Sequence, residues 1–236
     1  MTYIIPVYNE CKTIKKAIKN IKEINYPKKE ILVIDNGSTD GSQKIIKKTK
    51  GIKKILRKKN LGVGKTVQEG IKKSTGDYIF IYDSDLEYDH LRSTYMVEYA
   101  KKKKLDVVMG SRMKKKYSIV KTIIERPANI ATLICTFLIN IFYNKKFTDI
   151  IGAKLYKLKS IKNIPIDCFD AGFEFNFTSK ILKMRLNVDE VFIKYKPRAE
   201  GEKKIKFYHI INAIYQIIKI KFFYKNKNAI SKKKNF

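Results

Sequence analysis

Four apolar runs in the first half of this chain each stop at polar residues suited to holding a ligand, and that pattern restricts the fold more than any other feature. Residues 2–7 run into Tyr8-Asn9-Glu10, and residues 30–35 (EILVID) run into Asn36-Gly37. Residues 77–82 (DYIFIY) lead to Asp83-Ser84-Asp85, and residues 106–110 (DVVMG) lead to Ser111-Arg112. A further run, 52–57, reads as one more strand. Between the runs, apolar residues recur at helical spacing, as in Ile14, Ile18, Ile21 and Ile24 or Val63, Val67 and Ile71. Asp40 is placed to cap a helix carrying Ile45 and Ile46, and another helix is expected near 90–103. Strands alternating with helices predict an α/β fold: a mostly parallel sheet with helices on both faces. Such sheets bind ligands beyond the carboxyl ends of their strands. Asp, Asn and Gly are also ordinary turn formers, so one such end says little, whereas four in order favour a site.

The second half is less regular. Residues 119–143 and 173–184 read as helices, 188–195 as a strand and 205–223 as a long terminal helix. On that last helix Lys206, His209, Asn212, Gln216 and Lys219 form one narrow polar stripe, and the rest is Ile, Phe and Tyr. The longest apolar stretch, 128–143, contains Asn129 and Asn140 and is shorter than the roughly 20 residues a spanning helix needs. We therefore expect C-terminal helices that pack inside the protein or lie in a membrane interface. A single domain is expected over 1–224, followed by a basic tail over 225–236. No signal peptide is apparent.

Net charge is +30, and only six of the 52 basic residues are arginine. Such a surface attracts polyanions. Abundant Lys, Ile and Asn also fit the drift of an AT-rich genome, so the charge has two readings. Lysine clusters at 114–116 and 232–234 flank the apolar helices. Together they predict a cytoplasmic protein, peripheral on the inner face of the cytoplasmic membrane, with an anionic membrane surface as a partner. The three cysteines are widely spaced and the two histidines far apart, which argues against a zinc site or disulfide framework and for a reducing compartment.

The sharpest chemical feature is Asp83-Ser84-Asp85-Leu86-Glu87. In an extended backbone alternate side chains face the same way, so Asp83, Asp85 and Glu87 are expected to converge. Packed acids repel unless a cation compensates them. A hard divalent metal, Mg2+ or Mn2+, fits such a set and completes its shell with phosphate oxygens and water. The competing reading is an exposed acidic turn.

The stretches 4–10 (IIPVYNE), 33–42 (VIDNGSTDGS), 60–64 (NLGVG), 82–89 (YDSDLEYD) and 110–112 (GSR) resemble, in order, the motifs of family 2 glycosyltransferases. Later blocks at 148–157, 173–182 and 191–205 resemble the dolichol- or polyprenyl-phosphate mannose synthase branch. The resemblance implies a GT-A (Rossmann-like) fold and an inverting hexosyltransferase using a nucleotide-diphosphate sugar of the GDP-mannose or UDP-glucose type. It implies that Pro6, Tyr8, Glu10 and Asp35 line the nucleoside pocket, with Asp83, Ser84 and Asp85 also on the nucleotide. Asp83, Asp85 and Glu87 would gather the metal. Arg112, Arg126, Arg198 and Lys204 match basic positions that handle donor and acceptor phosphates, and Asp83, Asp85, Arg112, Arg126 and Arg198 are the expected catalytic set. Departures include Lys65 at a position where a small residue is typical, His90 in place of a proline, and a shortened 198–204 segment that leaves Lys203 or Lys204 open.

The acceptor expected from this branch is a polyprenyl or dolichyl phosphate, which is already dianionic and needs cations rather than a base. The alternative is a saccharide hydroxyl in surface-glycan synthesis, which needs a carboxylate base. Asp149, Asp170 and Glu174 are the candidates for that base, each equally readable as a cap or an ion-pair partner. A basic nucleic-acid-binding protein is disfavoured, because no module motif is present and three acids would stand in the mouth of the sheet. A nucleotidyltransferase would more typically carry a Gly-rich basic loop where this chain has PVYNE.

Overall fold

The computed structural model describes residues 1–113, 129–170, 172–196 and 207–225. In chain order they form β1 (Thr2–Val7), α1 (Ile14–Glu23), β2 (Glu30–Asp35), α2 (Ser42–Lys48), β3 (Lys53–Leu56), α3 (Val63–Lys73), β4 (Tyr78–Ile81) and α4 (Arg92–Lys103). Then follow β5 (Val107–Ser111), α5 (Asn129–Tyr143), β6 (Lys154–Lys157), α6 (Leu158–Ile161), α7 (Phe173–Lys183), β7 (Val188–Phe192) and α8 (Phe207–Phe223). The strands make one seven-stranded sheet in the order β3-β2-β1-β4-β6-β5-β7. All pairings are parallel except those of β6, which is antiparallel to both β4 and β5. Most expected strands and helices stand within a few residues of their sequence bounds; the 119–128 part of the helix expected over 119–143 lies outside the described residues, and β6 and α6 are additions.

Alternation along each strand sends side chains to two cores. Tyr3, Ile5 and Val7 of β1 pack with Ile14, Ile18 and Ile21 of α1 and with Met96 and Val97 of α4. Ile4 packs on the opposite face with Val67 and Ile71 of α3. The second core continues through Ile139 of α5, Phe173 and Phe177 of α7 and Ile217 of α8. These are the period-two and period-3.6 patterns of a sheet between helical layers. Glu30, at the amino edge, accepts hydrogen bonds from Thr2 Oγ1 (2.5 Å) and the Thr75 amide (3.0 Å) and pairs with Lys53 (2.5 Å). One carboxylate thereby ties β1, β2, β3 and the approach to β4.

The chain steps from β1 outward through β2 to β3, then returns to place β4 on the other side of β1. The carboxyl ends of β1 and β4 therefore bound a switch-point crevice, where open α/β sheets hold ligands. No helix among the described residues is long and apolar enough to cross a membrane.

Candidate active site

The floor of the crevice begins where β1 and β2 end side by side, Val7 in register with Asp35. Asp35 is completely buried. Its Oδ1 accepts hydrogen bonds from the Gly37 amide (3.0 Å), the Ser38 amide (2.9 Å) and Gln43 Nε2 (2.6 Å). Its Oδ2 is sealed and has no hydrogen-bond partner among the described residues. Gly37 makes the turn possible: its φ is +82°, and a Cβ there would stand 2.5 Å from the Lys59 carbonyl carbon. Beyond β1, Asn9 Oδ1 accepts the Thr39 amide (2.9 Å), and Glu10 accepts Thr13 Oγ1 (3.0 Å) while its own amide bonds Ser42 Oγ (2.9 Å). Tyr8 lies more exposed at the mouth. Asp40 stands one residue before the N-cap Gly41 and accepts the Ser42 amide (2.9 Å), with its other oxygen on the Cys11 amide (2.8 Å). Sequence reading expected it to cap α2; the N-cap is Gly41, without a side-chain cap hydrogen bond, and Asp40 instead stitches the two loops.

At the end of β4, Ser84 is buried and donates to the Pro6 carbonyl (3.0 Å), which brings the acidic turn against β1. Burial first, and then the charges of Asp85 and Glu174, push the Asp83 carboxyl well above the usual carboxylate range; Lys154 opposes this and Glu87 adds to it. These acids therefore share one neighbourhood, which Lys154 also enters. The expected convergence of three of them on one point does not hold: among the described residues, no group of three or more His, Cys, Asp or Glu side chains is arranged to hold a metal. The backbone is the reason. Leu86 has φ +65°, so the segment is a turn rather than an extended strand, and Asp85 Oδ1 folds back to accept the Glu87 amide (3.1 Å). A two-carboxylate donor set still suits a hard cation that fills most of its shell with phosphate oxygens and water.

Arg112, just past β5, is held by Asp149 in a bidentate pair, Nε to Oδ2 at 2.6 Å and Nη2 to Oδ1 at 3.0 Å, with the Arg112 amide also on Oδ2 (3.1 Å). Burial alone would raise the Asp149 carboxyl, but the Arg112 charge and these hydrogen bonds bring it below its ordinary value. Burial likewise acts against the Arg112 guanidinium, and Asp149 overrides it upward. Two nitrogens of Arg112 are thus committed to a buried carboxylate, a more structural post than a phosphate clamp. The guanidinium also lies over the Tyr195 ring, 5.4 Å from its centroid, and Tyr195 bridges to Tyr88 beside the acidic turn.

The three base candidates separate clearly. Asp149 is locked to Arg112. Asp170 is occupied by the Gly172 amide (2.8 Å), Cys168 Sγ (3.2 Å) and Asn212 Nδ2 (2.7 Å). Glu174, in the first turn of α7, is close enough to Asp83 to raise its carboxyl, and it pairs with Lys154 from β6. Sequence reading missed Lys154, which is almost fully buried; its signal was a lysine opening a short run, KLYK. Arg57 was missed too. It donates to Asn36 Oδ1 (2.8 Å), Thr66 Oγ1 (2.9 Å) and Glu69 (2.5 Å), fixing the loops after β2 and β3 to α3. An arginine among lysines was the available clue. Arg126, Arg198 and Lys204 lie outside the described residues.

Comparison with known proteins agrees with this geometry. Poly-β-1,6-N-acetyl-D-glucosamine synthase of Staphylococcus epidermidis is 32% identical over 125 residues, 51% of this chain and 30% of that protein. The Staphylococcus aureus (strain COL) synthase of the same name is 33% identical, over the same shares. The chain thus spans less than a third of the length of these relatives. Among solved structures, glucosyl-3-phosphoglycerate synthase from Mycobacterium tuberculosis, in complex with Mn2+, UDP and glucosyl-3-phosphoglycerate, superposes with a TM-score of 0.74 at 15% identity, covering 95% of this chain and 81% of that one. S. aureus TarS 1–349 in complex with UDP gives a TM-score of 0.64 at 17% identity, covering 97% and 67%. The profile of glycosyl transferase family 2 matches residues 2–164, more than half of the sequence, and the chain belongs to that family.

Proposed function

We propose that this chain transfers a hexose, with inversion, from a nucleoside-diphosphate sugar to a saccharide hydroxyl. The observation that carries the reading is the gathering of Asp35, the Asp83–Asp85 turn and Glu174 along one carboxyl edge of the sheet. Pro6, Tyr8, Glu10 and Asp35 line the nucleoside end. Asp83, Ser84 and Asp85 face the diphosphate, and Asp83 and Asp85 are the residues that would hold a Mg2+ or Mn2+ ion together with diphosphate oxygens. Bound there, the ion would supply charge neutralisation for the departing diphosphate. Arg112 positions Tyr195 and the turn rather than gripping phosphate. Glu174, oriented by Lys154, takes the proton of the acceptor hydroxyl as that oxygen bonds the anomeric carbon and the bond from that carbon to the diphosphate breaks. Residues 1–224 act as one catalytic unit ahead of a basic tail.

Relatives named for polysaccharide synthesis support a hydroxyl acceptor over polyprenyl phosphate, and neighbours bound to UDP support a uridine donor. The lipid-phosphate reading leaned on Arg112, Arg126, Arg198 and Lys204, of which the structure describes only Arg112. The test is incubation with radiolabelled UDP- and GDP-hexoses, with Mn2+ or EDTA, offering oligosaccharides or polyprenyl phosphate as acceptor. Mn2+-dependent transfer to oligosaccharide is expected. Label entering only polyprenyl phosphate would overturn the acceptor assignment, and full activity in EDTA would overturn the metal.

A further inference from the structure

The terminal helix buries Ala213, Ile217 and Ile220 together with Gln216, whose Oε1 accepts Asn176 Nδ2 (2.7 Å) from α7, while Asn212 Nδ2 donates to Asp170 (2.7 Å). Its outward face is apolar, with Ile211, Tyr215, Ile218 and Phe222 exposed at spacings of four, three and four residues. Ile211 is 58% exposed and Phe222 63%. The neighbouring helix α5 repeats the same spacing with Ile130, Ile134, Phe137 and Ile141, of which Phe137 is 63% exposed. The two stripes meet where the Phe142 and Phe222 rings pack edge to face, with centroids 5.9 Å apart. Lys221 fastens this seam by donating to the Phe142 carbonyl. Singly exposed apolar residues are ordinary, but two adjoining stripes on packed helices mark a surface built to be covered.

The charges beside the face state what covers it. No Asp or Glu occurs between Arg126 and Thr148, and none after Glu202, while ten lysines lie between positions 203 and 236. Lys145 and Lys146 follow α5, and Lys219, Lys221 and Lys225 lie on or just past the end of α8. An apolar strip with lysines at its ends suits the interfacial layer of an anionic bilayer, where Ile and Phe enter the acyl boundary and lysines meet lipid phosphates. We propose that α5 and α8 together form a face that docks this protein flat on an anionic membrane surface. Docking would hold the catalytic domain at the membrane, and it is independent of which acceptor is used.

The experiment is sedimentation of the full chain with vesicles of equal parts phosphatidylglycerol and phosphatidylcholine, beside vesicles of phosphatidylcholine alone. The wild type is expected to pellet with the anionic vesicles and far less with the neutral ones. The double variant Phe137→Asp, Ile211→Asp should lower the partition coefficient by roughly a hundredfold or more, because two apolar anchors are lost and two like charges added. Its melting temperature and its nucleoside diphosphate affinity should match the wild type, since both side chains already face outward. A wild type that stays in the supernatant overturns the proposal, as does a variant that pellets as before. So does a wild type that light scattering shows to be a dimer which the double variant dissociates, because the face would then cover a second copy.

Discussion

Replacing Asp35 by asparagine separates the nucleoside reading from a purely structural one. The native carboxylate uses one oxygen to accept three hydrogen bonds, from the Gly37 and Ser38 amides and Gln43, and leaves the other buried without a hydrogen-bond partner among the described residues. Asparagine can keep its carbonyl oxygen toward the three donors, because turning the amide round would set its N–H groups against them. The unpartnered acceptor then becomes a donor. A nucleobase N–H that reaches this oxygen bonds a carboxylate in a dry setting, where hydrogen bonds to charged groups contribute about 1.5–3 kcal/mol. Asp35→Asn should therefore weaken UDP binding by roughly 10- to 150-fold. Its melting temperature should stay close to wild type. Asp35→Ala also removes the shared acceptor, leaving buried donors unpaired at about 1–3 kcal/mol each, so it should lose stability as well as affinity. Titration calorimetry with UDP and thermal melts of both variants give the result. If Asp35→Asn binds UDP as the wild type does, with an unchanged melt, Asp35 serves only the Gly37 turn and the nucleoside assignment fails.

Three further outcomes follow from the geometry. Glu174→Gln should lower kcat by about 10²- to 10⁴-fold with donor affinity retained, as expected for loss of a general base; an unchanged kcat in steady-state kinetics removes Glu174 from the chemistry. Asp149→Ala leaves the Arg112 charge buried alone, which costs about 3–5 kcal/mol and should lower the melting temperature by roughly 6 °C or more in a chain of this size. Glu30 is the acid-sensitive staple of the amino edge. Burial opposes its ionisation, but the Lys53, Thr2 and Thr75 hydrogen bonds outweigh it and draw its carboxyl down to about 2. A depressed folded value means stability that is fully present above the unfolded pKa of about 4.3 and is lost as pH falls toward the folded value. Melts of Glu30→Gln should therefore decline less steeply than wild type between those limits, and parallel curves would show that the staple lies elsewhere.

β1, β2, β4 and β5 were legible because each is an apolar run set between helical periods, which leaves local pattern and tertiary role in agreement, and β3 (KKIL) was legible from its place between two such periods. β6 was not. Its four residues, Lys154–Lys157, carry a lysine at each end, and only pairing with β4 on one side and β5 on the other makes them a strand. Lys154 is tolerated inside because Glu174, 20 residues on, meets its charge. A partner brought by a later helix leaves no mark on the local sequence.

The acidic turn shows the same limit at the site itself. Residue identity told which carboxylates end β4, but the inference that all three converge assumed an extended backbone. One left-handed residue, Leu86, breaks that assumption, and nothing in a leucine announces a positive φ. The terminal helix presents the converse case. Its narrow polar stripe was plain in the sequence, yet the period of a helix fixes only that two faces differ, not which one turns inward. That choice was made by the core, which buries Ala213, Ile217 and Ile220, together with Asn176, whose buried amide bonds Gln216. Burying that row fixes the rotation of α8, and the same rotation necessarily brings Ile211, Tyr215 and Phe222 to the outside. The exposed apolar face is thus a consequence of the packing beneath it.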